Sequence, residues 1–430
     1  MKADTMRLWL ASPHFYPTYG GAQNRYRGYI PGFQERGLDV RVLAGTPDLH
    51  ERTETDVNAD WYDEQPGRWL PSSELDCAGL ERIRLPDGDN LARTEFFYKA
   101  LLEVSERPAQ GPVVLQVLTN LRPEALPWLR QLRKQGVIIV YSMSQFPRWP
   151  KKRFKRILRR FGFRRVFNEF DAIVTNSEAI ESLLQGIGVK TRIEYIPNGV
   201  NLQRFRPLES EQDMQVAAAL RQRLGIPMHH KVIATVGAVM PRKGQDKLVK
   251  AWRLLLSDHP DTHLLIVGPR SDIHNHKFSQ FGQELAQLIS SSQRPEQVHF
   301  TGAVNDVENW LLASDLFALP SDREGTPNSV LEAMASGLPC VVTPFAGISA
   351  GIGVAGRHYQ LAERRPQAIA AALSQLLESD KLCREMIENG RRFVEENADQ
   401  GISLDSYARM YTELCNGNQD RISEGSYALS

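Results

Sequence analysis

The chain has 430 residues, 42% of them hydrophobic and 24% charged, with 52 basic and 51 acidic side chains that leave a formal charge of +1. That balance excludes the global positive field of a nucleic-acid binder, so nucleic acid is not an expected partner and any basic patch must be local. The apolar content suits a soluble protein of two or three domains.

Cys77, Cys340, Cys383 and Cys415 are scattered, without a Cys-x-x-Cys or a histidine at ligand spacing. This argues against a disulfide framework or a metal site and points to a reducing cytoplasm. The start, MKADTMRLWLASPHF, lacks the apolar core of a secretory signal, and runs such as Val137 to Val140 are too short to span a bilayer. Any membrane contact is therefore expected to be peripheral.

In chain order, Met6 to Ser12 reads as a buried strand. His14, the prolines at 13 and 17 and the pair Gly20-Gly21 follow it, before a helix predicted over Ala22 to Glu35 and ended by Gly37. Glycines at a helix start let backbone approach a phosphate, and equally make a plain turn. Val40 to Ala44 is a second strand, and residues 46–90 read as a polar excursion with a weak strand at Glu81 to Leu85. Helix 91–106, strand Val113 to Leu118, helix 123–135 and strand Val137 to Ser142 restore an alternation that predicts a parallel sheet covered on both faces.

Next comes WPKKRFKRILRRFGFRRVFNEF, where the basic residues from Lys151 to Arg165 surround Phe154, Ile157, Leu158 and Phe161 at helical spacing. Such a helix either lies on an anionic membrane or packs its apolar stripe on the sheet, and periodicity does not separate the two. Strand Ala172 to Thr175, a helix capped by Asn176-Ser177 and strand Arg192 to Ile196 complete this half. The Pro- and Gly-bracketed PNGVNLQRFRP marks a boundary near residues 197–207.

The alternation then restarts. Helix 209–224 and strand Val232 to Val236 lead to Arg242-Lys243-Gly244; helix 245–256 and strand His263 to Val267 precede a His-containing loop at 270–276. Strand Val298 to Thr301, helix 307–313 and strand Leu316 to Leu319 lead to SDREGTPNSVLEAMASGLPCVV, whose end is a further strand, Cys340 to Thr343. The last 60 residues read as helical with a polar, frayed tail from about Asn416. Two α/β sheets in tandem imply a cleft, with ligands beyond the strand C-termini.

The Ser321 to Val342 stretch carries the most chemistry. Glu324 precedes a Gly-Thr-Pro turn and Glu332 lies two helical turns along, with Asn328 or Ser329 as N-cap candidates. The helix start would suit a phosphate, and the carboxylates could accept hydrogen bonds from sugar hydroxyls. Spacing alone is equally that of a surface helix with a solvated glutamate at each end.

The order of Gly20-Gly21 after the first strand, PNGVN at the boundary, PRKG after the first strand of the second half, and EGTPNSVLEAMASGLPCVV resembles the retaining glycosyltransferases of family 4. The resemblance covers nearly the whole chain. It implies an α/β fold of the GT-B type, two Rossmann-like doubly wound domains with a donor cleft between them. The expected division is an acceptor domain at 1–200, a donor domain at 201–395, and a C-terminal helix and tail at 396–430 that can return to the N-terminal domain.

It further implies that Glu324 bears on the transferred sugar, Glu332 on the ribose, and the segment Gly325, Thr326, Pro327, Asn328 and Ser329 on the donor diphosphate. Lys243, with Arg242 beside it, would neutralise that diphosphate, and Gly20 and Gly21 would close over donor or acceptor. No cofactor and no metal are implied, the nucleotide-diphosphate sugar being a substrate. Two departures stand out. Ala238 follows Gly237 where many members have arginine, leaving Arg242 or Arg270 to replace it, and no histidine follows the first half's fourth strand. There Gln116, Thr119 or Asn120, or else His14, would serve the sugar or acceptor. The expectation is a retaining, metal-independent transferase acting on a glycan, lipid-linked or small acceptor. A sucrose- or trehalose-type synthase or phosphorylase, and an inactive sugar-nucleotide or glycan binding protein, are the alternatives.

Overall fold

The computed structural model describes residues 6–13, 15, 21–45, 69–72, 79–86, 90–106, 111–118, 123–144, 152–270, 278–345, 348 and 350–427. The chain forms two compact units, one running up to Pro197 and resuming at Gly401, the other spanning Asn198–Gln400.

In the first unit the described strands are β1 (Arg7–Ser12), β2 (Asp39–Gly45), β3 (Trp69–Ser72), β4 (Gly79–Ile83), β5 (Val113–Val117), β6 (Ile138–Met143), β7 (Ala172–Thr175) and β8 (Arg192–Tyr195). They form one sheet in the order β3-β4-β2-β1-β5-β6-β7-β8, parallel except where β3 runs against β4. Apolar residues fill both faces because successive side chains point to opposite sides. Trp9, Ala11, Leu115, Val117 and Ile139 face one core, while Leu8, Leu10, Val114 and Val140 face the other. Residues 46–90 were expected as an excursion with one weak strand; their described parts supply two paired strands, β3 and β4.

The second core is closed by the C-terminal helix, Gln400–Tyr427. Tyr407, Met410 and Tyr411 pack on Tyr26, Tyr29 and Phe33 of the Gly21–Glu35 helix, so closely that a Cβ on Gly32 would meet Leu404 at 2.3 Å. The frayed tail expected from Asn416 is instead part of this helix.

Gln116 is also corrected. It is fully buried in β5, donating from Nε2 to the Tyr26 hydroxyl at 3.2 Å and accepting from the Tyr411 hydroxyl at 3.1 Å. Tyr26 in turn bonds Tyr407 at 2.7 Å and Ser142 at 2.8 Å. A buried amide needs partners at both ends, and here tyrosines supply them rather than a sugar.

The second unit contains β9 (Lys231–Val236), β10 (Thr262–Val267), β11 (Val298–Gly302), β12 (Leu316–Leu319), β13 (Cys340–Val342) and β14 (Gln360–Leu361). Their order among the described residues is β11-β10-β9-β12-β13-β14, all parallel. This is the doubly wound order whose direction of winding reverses between the first and fourth strands, here β9 and β12, so their C-terminal loops border the switch point. Trp252, on the inner face of the sheet-covering helix Gln245–Leu255, is buried and donates its indole N–H to Thr262 O at 2.9 Å. The helix Ser279–Ser290 and the short β14 were not anticipated; Phe281, Leu285, Leu288 and Ile289 give that helix an apolar face, interrupted in sequence by Gln and Gly.

Candidate functional site

The site is built from the loops after β9 and β12. Beyond β9, Gly237 has φ +144° and a Cβ there would lie 2.9 Å from Lys243 Cε, so the bare backbone leaves room for the lysine side chain. Buried Gln245 holds the intervening turn, donating to Ala238 O at 3.1 Å and accepting from Met240 N–H at 3.4 Å. The short 3-10 turn Pro241–Lys243 ends at Gly244, with φ +72°. A Cβ on Gly244 would stand 2.3 Å from Pro320 O, which shows how tightly the two loops meet.

Asp322 N–H donates to Arg242 O at 2.9 Å, joining the backbones. Arg242 Nη1 donates to Arg323 O at 2.7 Å and lies 2.9 Å from Glu324 Oε1. Lys243 Nζ is 2.9 Å from the same oxygen. Burial would lift the Glu324 pKa, but the adjacent Lys243 and Arg242 hold it below the ordinary carboxylate value. Glu324 is thus an ionised carboxylate sharing two cations.

The following helix starts at Asn328 and runs to Ala335, with Pro327 as N-cap and no side-chain cap bond. Asn328 and Ser329, expected as caps, do not cap it. The Asn328 amide oxygen instead accepts from Asn198 Nδ2, which also donates to Thr326 O at 3.0 Å. Asn198 belongs to PNGVN, which reads in sequence only as a boundary; its role in pinning the Gly-Thr-Pro turn emerges from the fold.

Glu332, further along the helix, behaves differently from Glu324. Burial raises its pKa to about 7; Arg204 and Lys243 oppose that rise and Glu308 adds to it. Arg204 is itself 2.6 Å from Glu308 Oε2. Arg364 ties the Asp322 turn to the strand beyond it, with Nη1 3.3 Å from Asp322 Oδ1 and Nη2 donating to the carbonyls of Asp322 and Pro344.

The second unit therefore brings Glu324, Glu332, Lys243, Arg242 and the Gly325–Ser329 turn to one end of its sheet. Arg270, considered as a stand-in for the cation absent at Ala238, stacks its guanidinium 4.2 Å over Phe300. Gly21 opens the first helix of the other unit. His14, Gly20, Thr119 and Asn120 lie outside the described residues. Among the described residues no three metal-ligating side chains converge.

Two family descriptions match this architecture, "Glycosyl transferase 4-like domain" over residues 20–199 and "Glycosyl transferases group 1" over residues 216–393. The chain belongs to glycosyltransferase family 4. As in that family, its fold is the GT-B type with two Rossmann-like units.

This glycosyltransferase is 28% identical to a GDP-mannose-dependent monoacylated alpha-(1-6)-phosphatidylinositol monomannoside mannosyltransferase of Corynebacterium glutamicum, over 78% of the chain and 79% of that relative. It is 30% identical to an Escherichia coli UDP-Gal:alpha-D-GlcNAc-diphosphoundecaprenol alpha-1,3-galactosyltransferase, over 36% of the chain and 38% of that relative. Among solved structures, Anabaena HepE in complex with UDP and glucose is similar with a TM-score of 0.72 and 17% identity, covering 95% of this chain and 100% of that one.

Proposed function

We propose that this glycosyltransferase moves a sugar, with retention and without a metal ion, from a nucleotide-diphosphate donor to a glycan, lipid-linked or small-molecule acceptor in the synthesis of cell-envelope polysaccharide or glycoconjugate. The observation that carries this reading is Glu324 Oε1 at 2.9 Å from both Lys243 Nζ and Arg242 Nη1, at the switch point of the second unit.

Breaking the anomeric C–O bond leaves negative charge on the departing diphosphate and positive charge on the sugar ring. Lys243 and Arg242 would stabilise the first, doing for the leaving group what a divalent cation does elsewhere. Glu324, kept ionised by the same cations, would accept hydrogen bonds from the sugar's hydroxyls on the reacting side, and Glu332 from the ribose. The Gly325–Ser329 turn, fixed by Asn198, would present its amides to the diphosphate. Retention follows if the acceptor hydroxyl attacks from the leaving-group side and yields its proton to the departing phosphate oxygen.

The relatives support a nucleotide-sugar donor, since one is named for GDP-mannose and another for UDP-Gal. Their names also specify lipid-borne acceptors, which supports a lipid-linked acceptor here; we infer from such an acceptor a reaction at the inner face of a membrane by a peripherally attached protein.

The test is release of nucleoside diphosphate from a panel of GDP- and UDP-sugars, with and without EDTA, and the anomeric configuration of the product by NMR. Transfer should survive EDTA, and Lys243→Ala or Glu324→Ala should each lower kcat by about a hundred-fold or more, roughly 3 kcal/mol of transition-state stabilisation. Activity abolished by EDTA and restored by Mg2+ would overturn metal independence. Nucleotide binding without turnover of any donor would favour a binding protein of the same fold.

A further inference from the structure

The helix Arg153–Phe167 carries two apolar stripes, and the sheet covers only one of them. Phe163, Val166 and Phe167 are buried, with Phe167 stacked on Tyr141 at 5.9 Å and on Phe163 at 5.4 Å. These residues fix the C-terminal half of the helix to the first unit. At about 100° per residue, Phe154, Ile157, Leu158 and Phe161 fall on the opposite side, within an arc of roughly 100°. They are exposed by 71%, 56%, 56% and 58%. Every residue from Lys152 to Phe161 is exposed, so the first half of the helix stands clear of the unit it belongs to.

The charges on this projecting half share one sign. Lys152, Arg153, Lys155, Arg156, Arg159 and Arg160 are its cations, with Arg153, Lys155 and Arg160 flanking the apolar stripe and the other three on the far side of the helix, and no carboxylate occurs between Lys151 and Asn168. Among the described residues none of the first four forms an ion pair. Arg159 leans over Phe163 at 5.3 Å and Arg160 donates to Gly186 O at 3.1 Å, contacts that leave their charges uncompensated.

We propose that this projecting half-helix docks on an anionic lipid bilayer, with Phe154, Ile157, Leu158 and Phe161 entering the acyl boundary and the flanking cations lying among the headgroup phosphates. This deepens the peripheral attachment of the proposed function by naming the surface and its lipid. It does not depend on which sugar is moved. The occupant must meet an apolar stripe and a dense cationic flank together. A second copy would bring like charges against like, and RNA would leave four large apolar side chains in water. An anionic bilayer supplies acyl chains and negative charge in one surface.

The test is co-sedimentation of the full chain with vesicles of phosphatidylcholine alone and of phosphatidylcholine with roughly one-third phosphatidylglycerol, each with and without added salt. Two variants accompany it: Phe154→Ser, Ile157→Ser, Leu158→Ser, Phe161→Ser combined, and Lys152→Gln, Arg153→Gln, Lys155→Gln, Arg156→Gln combined. The wild type should bind the anionic vesicles at least about ten-fold more tightly than the neutral ones, and each variant should lose about ten-fold or more. Because all eight positions are exposed, both variants should keep the wild-type melting temperature and the same thermal shift with GDP or UDP. That readout separates loss of docking from loss of donor binding.

Equal binding to both vesicle types, or undiminished binding of the serine variant, would overturn the proposal. So would a wild-type dimer in light scattering that the serine variant converts to monomer, or retention by RNA that exceeds retention by vesicles. Should a combined variant fail to fold, Phe154→Trp in the otherwise native chain gives a direct reading. Its emission should shift to the blue with anionic vesicles, and an unchanged spectrum would refute docking through this face.

Discussion

Glu324 and Glu332 sit in one motif yet have opposite acid–base behaviour, because their neighbours differ. Lys243 and Arg242 touch the first and outweigh its burial, whereas burial dominates at the second and pushes its pKa to about 7. A carboxyl whose pKa is raised on folding binds its proton more tightly in the folded state. Its contribution is therefore most favourable below the ordinary carboxylate value near 4.5 and is lost as pH rises through about 7. Glu332→Gln removes that titration. Between pH 5 and 8.5 the wild type should lose on the order of 1–2 kcal/mol more stability than the variant, allowing for solvent at the edge of the site. Denaturant unfolding at the two pH values measures this, and parallel losses in the two proteins would contradict it. Asn198 belongs at the same scale. A single amide reaching Thr326 O and Asn328 orders a turn more than 120 residues distant, a link that no local pattern announces.

Among the elements, the two loops at the switch point depend on each other through Gly244. Its φ of +72° disfavours any residue with a side chain, and a Cβ would strike a carbonyl oxygen rather than a movable side chain. Gly244→Ala should destabilise the protein by about 2 kcal/mol or more and also weaken nucleotide binding, since the added atom would push Lys243 away from Glu324. Calorimetry with and without GDP or UDP reads both effects, and unchanged binding would show that the loops do not act together. The helix Arg153–Phe167 gives the corresponding lesson on packing. Its sequence offers either a sheet-facing or a membrane-facing apolar stripe, and the fold uses Phe163, Val166 and Phe167 for the sheet while leaving the other stripe in solvent.

At the scale of the molecule, the chain leaves its first unit at Pro197 and returns to it at Gly401. The returning helix completes a core instead of decorating it: Leu404, Tyr407, Met410 and Tyr411 are all buried, and the tyrosines bond Tyr26 and Gln116. Ending the chain at Gln400 should therefore expose Tyr26, Tyr29 and Phe33 and leave the Gln116 amide oxygen without its Tyr411 donor. Each large side chain removed is worth about 3 kcal/mol. Loss of near-ultraviolet circular dichroism and rapid proteolysis of the first unit are expected, and a truncated chain that melts like the full one would refute this dependence.

The alternation of strands and helices, the restart after PNGVN, and the contiguous motif that holds Glu324 and Glu332 are legible in the residues alone. Those features are periodicities and short runs, governed by the geometry of local backbone and by which faces must be apolar. Only the fold reveals that Gln116 is a core amide, that Asn198 anchors the Glu324 turn, and that Tyr407 and Tyr411 of the C-terminal helix complete the first unit's core. It also set the two glutamates' pKa values apart and left one stripe of the basic helix bare. Each of these depends on which distant residues become neighbours, and burial, hydrogen bonding and charge pairing act only once the winding of the sheets has brought them together.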